Sequence, residues 1–291
     1  MSEQVCMTGA EYCGGAAGVD TCGYPVETTG NTVLDILEHR SSTRAFARDD
    51  DDRPVAVTDE QRAAILHAAS RAPSAGAMMM YSIVSIREQA TLDRLADLCD
   101  HQPMIAKAPW ALIFVVDYAK WIDLFEHVGC FKPEFVERTG KAPRRAPGLG
   151  DFAIAAQDAV IAAQNAVVAA ETLGLGSCYI GDIVENAEEV ASLLDLPPYT
   201  MPLSMLIIGT PRKERPAIAH PVVNLVHEER YRRADTATMD AQVAEMDAMF
   251  RPHAREAGER VVDIYTRKHT SPFMAEMSRS MEWWFKNWLG K

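Results

Sequence analysis

The chain has 291 residues, 48% of them hydrophobic and 24% charged, an ordinary globular composition with room for one large domain or two small ones. Its 29 Lys and Arg against 41 Asp and Glu leave a net charge of −12, which excludes nucleic acid as the main partner, although a local arginine pair can still hold a small anion. No apolar run approaches the roughly 20 residues of a bilayer span, and the start lacks the basic-then-apolar pattern of a secretory signal. The expectation is therefore a cytoplasmic protein with no membrane partner.

Residues 1–30 are rich in Gly, Ala and Thr, carry no apolar period and read as an arm. Cys6, Cys13 and Cys22 lie within it at spacings that match no zinc knuckle, so no metal site is expected there. Residues 31–39 form a first helix, capped by Asn31 or Thr32, and directly after it comes Arg40-Ser41-Ser42-Thr43-Arg44-Ala45-Phe46. Two guanidinium groups four residues apart, with hydroxyls between them, suit a phosphate dianion. A solvated basic helix end has the same composition. Asp49 to Asp52 reads as a solvated loop.

Thr58 and Gln61 make a capping box for a second helix whose buried face is Ile65, Leu66 and Ala69. That helix must stop near Pro73, where Pro73-Ser74-Ala75-Gly76 offers a fixed bend and a glycine free to take positive φ. A flat ligand could lie close against such a backbone, and so could nothing at all. Tyr81–Ile86 reads as a strand, Thr91–Cys99 as an amphipathic helix, and 109–116 as a strand covered on both faces. Residues 118–150 read as an irregular insertion or lid carrying Trp121, Phe125, Phe131 and Phe135. Asp151–Leu173 is the longest helix, alanine-rich and suited to a buried or dimer-interface position, and it ends at Gly174. A helix near 187–194 and a buried strand over 204–209 follow. Residues 226–291 are charged and mostly helical, and their aromatic end, Trp283-Trp284-Phe285 with Trp288, must pack on its own core or on a partner.

Gly174, Gly176 and Gly181 follow a helix and precede a strand, the reverse of the dinucleotide-binding order. No lysine-bearing phosphate loop, serine elbow, paired-histidine helix motif or catalytic triad can be assembled.

Six pieces in order nevertheless resemble the FMN-dependent nitroreductase family: Arg40–Phe46, Ala72–Gly76, Gln102–Pro109, the helix through Gln157-Asp158 to Glu171, Leu173–Gly181, and Ile207–Pro211. The resemblance covers roughly residues 31–231 and is nearest to a BluB-like flavoprotein branch, on Ala77–Ser82 and Asp263–Lys268. It implies an α+β fold, a three-layer α-β-α sandwich around a mixed, mainly antiparallel sheet, in an intertwined homodimer that binds FMN. The expected organisation is an arm (1–30), an FMN-binding domain (31–231) with an insertion at about 118–150, and a helical extension (232–291).

Carried over by position, Arg40, Ser41, Ser42 and Arg44 would hold the FMN phosphate and ribityl chain, while Pro73, Ser74, Ala75 and Gly76 would line the isoalloxazine ring. Gln102 would hydrogen-bond the ring or ribityl, and Ile180 and Gly181 would present backbone to flavin N5. No nucleophile or general base is implied. Ala77 and Met79 stand where many members carry Asn and Gln, and the basic residue after the Gly209-Thr210-Pro211 turn could be Arg212, Lys213, Arg215 or His220. The implied activity is oxidation of NAD(P)H and ping-pong reduction of a small-molecule acceptor (a nitroaromatic, a quinone or a free flavin). Flavin-consuming chemistry is disfavoured by Ser42, which stands where such members carry Asp. A non-catalytic electron carrier is the third reading.

Overall fold

The computed structural model describes residues 18–19, 25–26, 30–141, 145–213, 222–249 and 256–290. Cys6, Cys13, Cys22, Arg215 and His220 lie outside them. The described residues form two compact units, one taking those up to Ser41 and from 222 to 274, the other those from Ser42 to 213 and from Ala275 onward.

In chain order the elements begin with β1 (Gly18–Val19) and β2 (Pro25–Val26), an antiparallel pair, followed by α1 (Thr32–His39) and α2 (Asp59–Ser70). Next come β3 (Tyr81–Ile86), α3 (Gln89–Leu98), α4 (Pro103–Ala106), β4 (Trp110–Asp117), α5 (Ala119–His127) and α6 (Pro133–Thr139). The chain continues through α7 (Leu149–Thr172), β5 (Gly176–Ile180), α8 (Ala187–Leu193) and β6 (Thr200–Gly209), and ends in α9 (Thr236–Met249), α10 (Glu259–Ile264) and α11 (Phe273–Trp288).

The larger unit is built on a four-stranded sheet of order β3-β4-β6-β5, every pairing antiparallel. Because successive side chains point to opposite faces, the apolar run of β4 fills two cores. Trp110, Leu112, Phe114 and Val116 face α2 and α7, whereas Ala111, Ile113 and Val115 face α3, α4 and α8. The result is the three-layer sandwich. β6 begins four residues before the strand expected at 204–209 and takes in Pro202, which has no N–H for the ladder; the register slips beside it, between Phe114 and Val115.

Local signals mostly act where the sequence places them. Asn31 Oδ1 accepts from Val33 and Leu34 N–H at the start of α1, and Thr58 with Gln61 closes the capping box of α2. Residues 118–150 are the exception, since they hold two helices. Ile122 of α5 is buried, and the Trp121 indole donates to the Met78 carbonyl at 2.9 Å, so the segment is anchored. Its amphipathic pattern is only about two turns long, too short to stand out beside its prolines.

By length and composition α7 could cross a membrane, contrary to the expectation above. In this fold it is a core helix: Ala155, Ala159, Ala162, Ala163 and Ala166 are fully buried and let α2 and the sheet approach closely. The aromatic end of the chain packs on its own core. Trp284 and Trp288 are fully buried in the larger unit, their indoles donating to the carbonyls of Val184 (2.9 Å) and Gly148 (3.1 Å).

In the smaller unit, buried Asp247 of α9 accepts from the N–H groups of Gly258 and Arg260, and Glu245 accepts from those of Val222 and Val223. These carboxylates fasten the start of α10 and the chain at Val222 and Val223 to α9.

Candidate functional site

The segments singled out in the sequence are tied to one another. Thr43 is fully buried and its N–H donates to the Ser177 carbonyl at 2.7 Å, which lays the arginine-rich stretch along β5. Beside it Gly176 is obligatory: a Cβ there would sit 1.8 Å from Thr43 Oγ1. Phe46 bridges to Pro211, with Ala47 N–H donating to the Thr210 carbonyl and Arg212 N–H to that of Ala45. Gly209 has the same constraint, since a Cβ would lie 2.7 Å from both Phe46 and Pro109. Four of the six pieces thus meet at the β5–β6 end of the sheet.

Arg40 follows the last turn of α1 with an extended backbone, its N–H closing the helix on the Ile36 carbonyl at 2.9 Å. Its side-chain Nε is buried without a hydrogen-bond partner. A guanidinium edge removed from water strongly favours an anion opposite it. Arg40 and Ser41 end their segment of the smaller unit, and Ser42 opens the larger one. Ser41 and Ser42 are half-buried and Arg44 is exposed.

The other predicted loop leaves α2 and turns through left-handed backbone at Gly76 (φ 58°), Ala77 (54°) and Met79 (50°). Glycine takes that conformation freely, whereas a side chain resists it at a cost of about 1–2 kcal/mol. Buried Asp158 of α7 supplies the restraint: Oδ1 accepts from Ala75 N–H at 2.9 Å and Oδ2 from Met80 N–H at 3.4 Å. Ser74 Oγ accepts from Met79 N–H at 3.2 Å. The outer face, at Pro73, Ala75, Gly76, Ala77 and Met79, is left exposed. Spacing alone did not single out Asp158, but a signal existed, because an acid on the same helical face as Ala155, Ala159 and Ala162 is destined for burial.

At the end of β5, Ile180 is buried, so only its backbone is available. Gly181 is exposed, and a Cβ there would meet nothing within 4 Å. Gln102, at the start of α4, donates through Nε2 to Asp182, which brings it beside Gly181. Three residues past Asp182 lies Glu185, which is buried; burial first, then the carboxylates of Asp182, Asp100 and Glu276, push it up to about 7. Of the candidates after Pro211, Arg212 and Lys213 are exposed. Among the described residues no cluster of three His, Cys, Asp or Glu is arranged to hold a metal ion.

A model of the nitroreductase family matches residues 37–210, which include every predicted site residue. The FMN reductase (NAD(P)H) of Bacillus subtilis is 32% identical over 215 residues, 73% of this chain and 79% of that protein. The oxygen-insensitive NADPH nitroreductase of Salmonella typhimurium is 32% identical over 219 residues, covering 73% and 81%. Among solved structures, NfrA2 of B. megaterium superposes with a TM-score of 0.66 at 26% identity, covering 86% of this chain and 97% of that one. The NADPH:FMN oxidoreductase of Vibrio harveyi, solved with NAD+, gives 0.66 at 24% over the same shares, a likeness of fold. With its sandwich, the buried Nε of Arg40 and the meeting of its dispersed motifs, the chain belongs to the nitroreductase family of oxidoreductases.

Proposed function

We propose that this protein is an FMN-dependent NAD(P)H oxidoreductase that reduces a small acceptor by a ping-pong cycle. The observation that carries the reading is Arg40, whose buried, unpartnered Nε sits at the head of a hydroxyl-rich stretch inside the family match. A phosphate monoester supplies the missing acceptor. The relatives' names, which include FMN reductase and NADPH nitroreductase, support the same cofactor and donor.

Bound FMN supplies a hydride acceptor at N5 and returns two electrons to a second substrate. The chain's residues bind and orient. Arg40 and Arg44 neutralise the phosphate dianion, and the hydroxyls of Ser41 and Ser42 donate to its remaining oxygens. The backbone of Pro73, Ser74, Ala75 and Gly76, exposed at all but Ser74, offers a surface for the ring, kept in shape by Asp158. Gln102, oriented by Asp182, is a donor for the ring or ribityl edge. Gly181, with no side chain in the way, lets the backbone at Ile180 and Gly181 come close to N5. None of these groups needs to act as a nucleophile or general base toward substrate.

The FMN-binding domain is proposed over residues 31–231, in a homodimer to which each subunit contributes. The acceptor is proposed to be a nitroaromatic, a quinone or a free flavin. The test is anaerobic mixing of the FMN-loaded protein with NADH and with NADPH. Rapid loss of flavin absorbance, recovered on adding acceptor, is expected; a protein that binds FMN but is bleached by neither nucleotide refutes the reading.

A further inference from the structure

Glu185 is an acid that the binding scheme above does not use. It closes the 3-10 turn Asp182–Val184, with its N–H on the Asp182 carbonyl at 3.0 Å, and it is 3% exposed. Its Oε1 is buried with no hydrogen-bond partner. The charges acting on it are all acidic: Asp182 on its own turn, Asp100 beyond the end of α3, and Glu276 on α11. Arg279, the cation bonded to Glu276, is also held by Glu188. The thiol of Cys99, on which the charge of Glu185 also acts, is buried as well. The turn is held from behind by Trp284, whose indole donates to the Val184 carbonyl, and by Ser280 and Glu276, which accept from the N–H groups of Ala187 and Asn186.

A buried carboxyl with an unpartnered oxygen, acted on only by other acids' charges, holds its proton unusually firmly, and here burial pushes it up to about 7. It therefore exchanges a proton near neutral pH. A 3-10 turn rises about 2 Å per residue, which puts the Glu185 backbone roughly 8 Å from that of Gly181.

We propose that Glu185 is the residue that takes up a proton when the cofactor site beside Gly181 gains negative charge, so that cofactor reduction is coupled to protonation of this side chain. The inference rests on the reading that Gly181 faces flavin N5. The hydride from NAD(P)H carries two electrons and one proton to the cofactor, oxidising the nicotinamide. A second proton comes from solvent to the Glu185 carboxylate, forming the neutral acid, and it returns to solvent when the acceptor removes the electrons. At an effective dielectric of about 20, a unit charge roughly 10 Å away raises the proton affinity of such a group about tenfold. Glu185 thus acts on the cofactor's charge without touching it, as a positioning residue for a proton.

The test is the pH dependence of the midpoint potential of bound FMN, by anaerobic spectroelectrochemistry from pH 5.5 to 9, in the unmodified protein and in Glu185→Gln. The expected result is a steeper segment near neutral pH in the unmodified protein, where a second proton accompanies each electron pair, and a one-proton slope throughout in the variant. Infrared difference spectra should show a protonated-carboxyl C=O band that grows on reduction at pH 7.5 and is missing in Glu185→Gln. FMN bound normally with coincident slopes and no such band overturns this inference alone. Failure of the unmodified protein to bind FMN overturns the reading beneath it, and this inference with it.

Discussion

Replacing Asp158 with Ala tests whether a single carboxylate keeps the 74–80 loop in its shape. Ala77 and Met79 hold left-handed backbone that costs about 1–2 kcal/mol each, or about 2–4 kcal/mol together. Against this, a hydrogen bond to a charged acceptor contributes about 1.5–3 kcal/mol. The 2.9 Å bond from Ala75 N–H carries most of that stabilisation, since the 3.4 Å bond from Met80 N–H is long. The two sides nearly balance, so Asp158→Ala should release the loop and leave two backbone donors without their acceptor. The net loss is at most the about 1.5–3 kcal/mol of the charged hydrogen bond, since the released backbone strain offsets part of it, and at about 2.1 cal/mol/K per residue a 291-residue chain then loses no more than roughly 5 °C in Tm. The assays are scanning calorimetry of the FMN-free protein and hydrogen exchange at the Ala75 and Met80 amides. Both amides should lose protection in Asp158→Ala, and Asp158→Asn, with one acceptor oxygen left, should fall between the two. Unchanged protection at Ala75 in the Ala variant would refute the argument, whatever happened to Tm.

Four further outcomes are expected. Gly176→Ala drives a methyl into Thr43 and should cost about 1–3 kcal/mol of overpacking while weakening FMN, read by thermal melts and flavin fluorescence titration; unaltered values of both would contradict the contact. Arg40→Ala should weaken FMN at least about tenfold, from loss of a charged hydrogen bond worth about 1.5–3 kcal/mol, and an unchanged Kd would remove Arg40 from the phosphate. Trp284→Ala should destabilise the larger unit by about 3–5 kcal/mol in urea unfolding, and a loss under 1 kcal/mol would mean that α11 is not part of its core.

Glu185→Gln should change the pH dependence of stability in a definite direction. The acid is raised from 4.5 to about 7 in the folded chain, so its penalty is absent below pH 4.5, grows as the unfolded chain ionises, and levels off above pH 7. The variant should match the unmodified protein near pH 4.5 and exceed it at pH 8 by up to about 3 kcal/mol. Parallel stability profiles would show that Glu185 is not buried as an acid.

Much of this protein was legible before any coordinates. Helices announced themselves by short-range chemistry: the Asn31 cap, the Thr58–Gln61 box and the glycine after α7 each act within a few residues, so the local chain determines them. The strand at 110–117 was readable because eight consecutive buried residues leave no polar face to confuse the pattern. The arginine–hydroxyl stretch and the turn at Pro73–Gly76 were likewise visible as chemistry. What the tertiary structure decided is what those pieces touch. That Gly176 and Gly209 are needed for close approach depends on Thr43, Phe46 and Pro109, which lie far away in sequence. Asp158 acquires its role only because α7 packs beneath the loop 78 to 83 residues away, and Glu185 only because the acids around it come from separate elements and water is excluded. Burial and long-range hydrogen bonding are properties of the packed chain, and no local pattern encodes them.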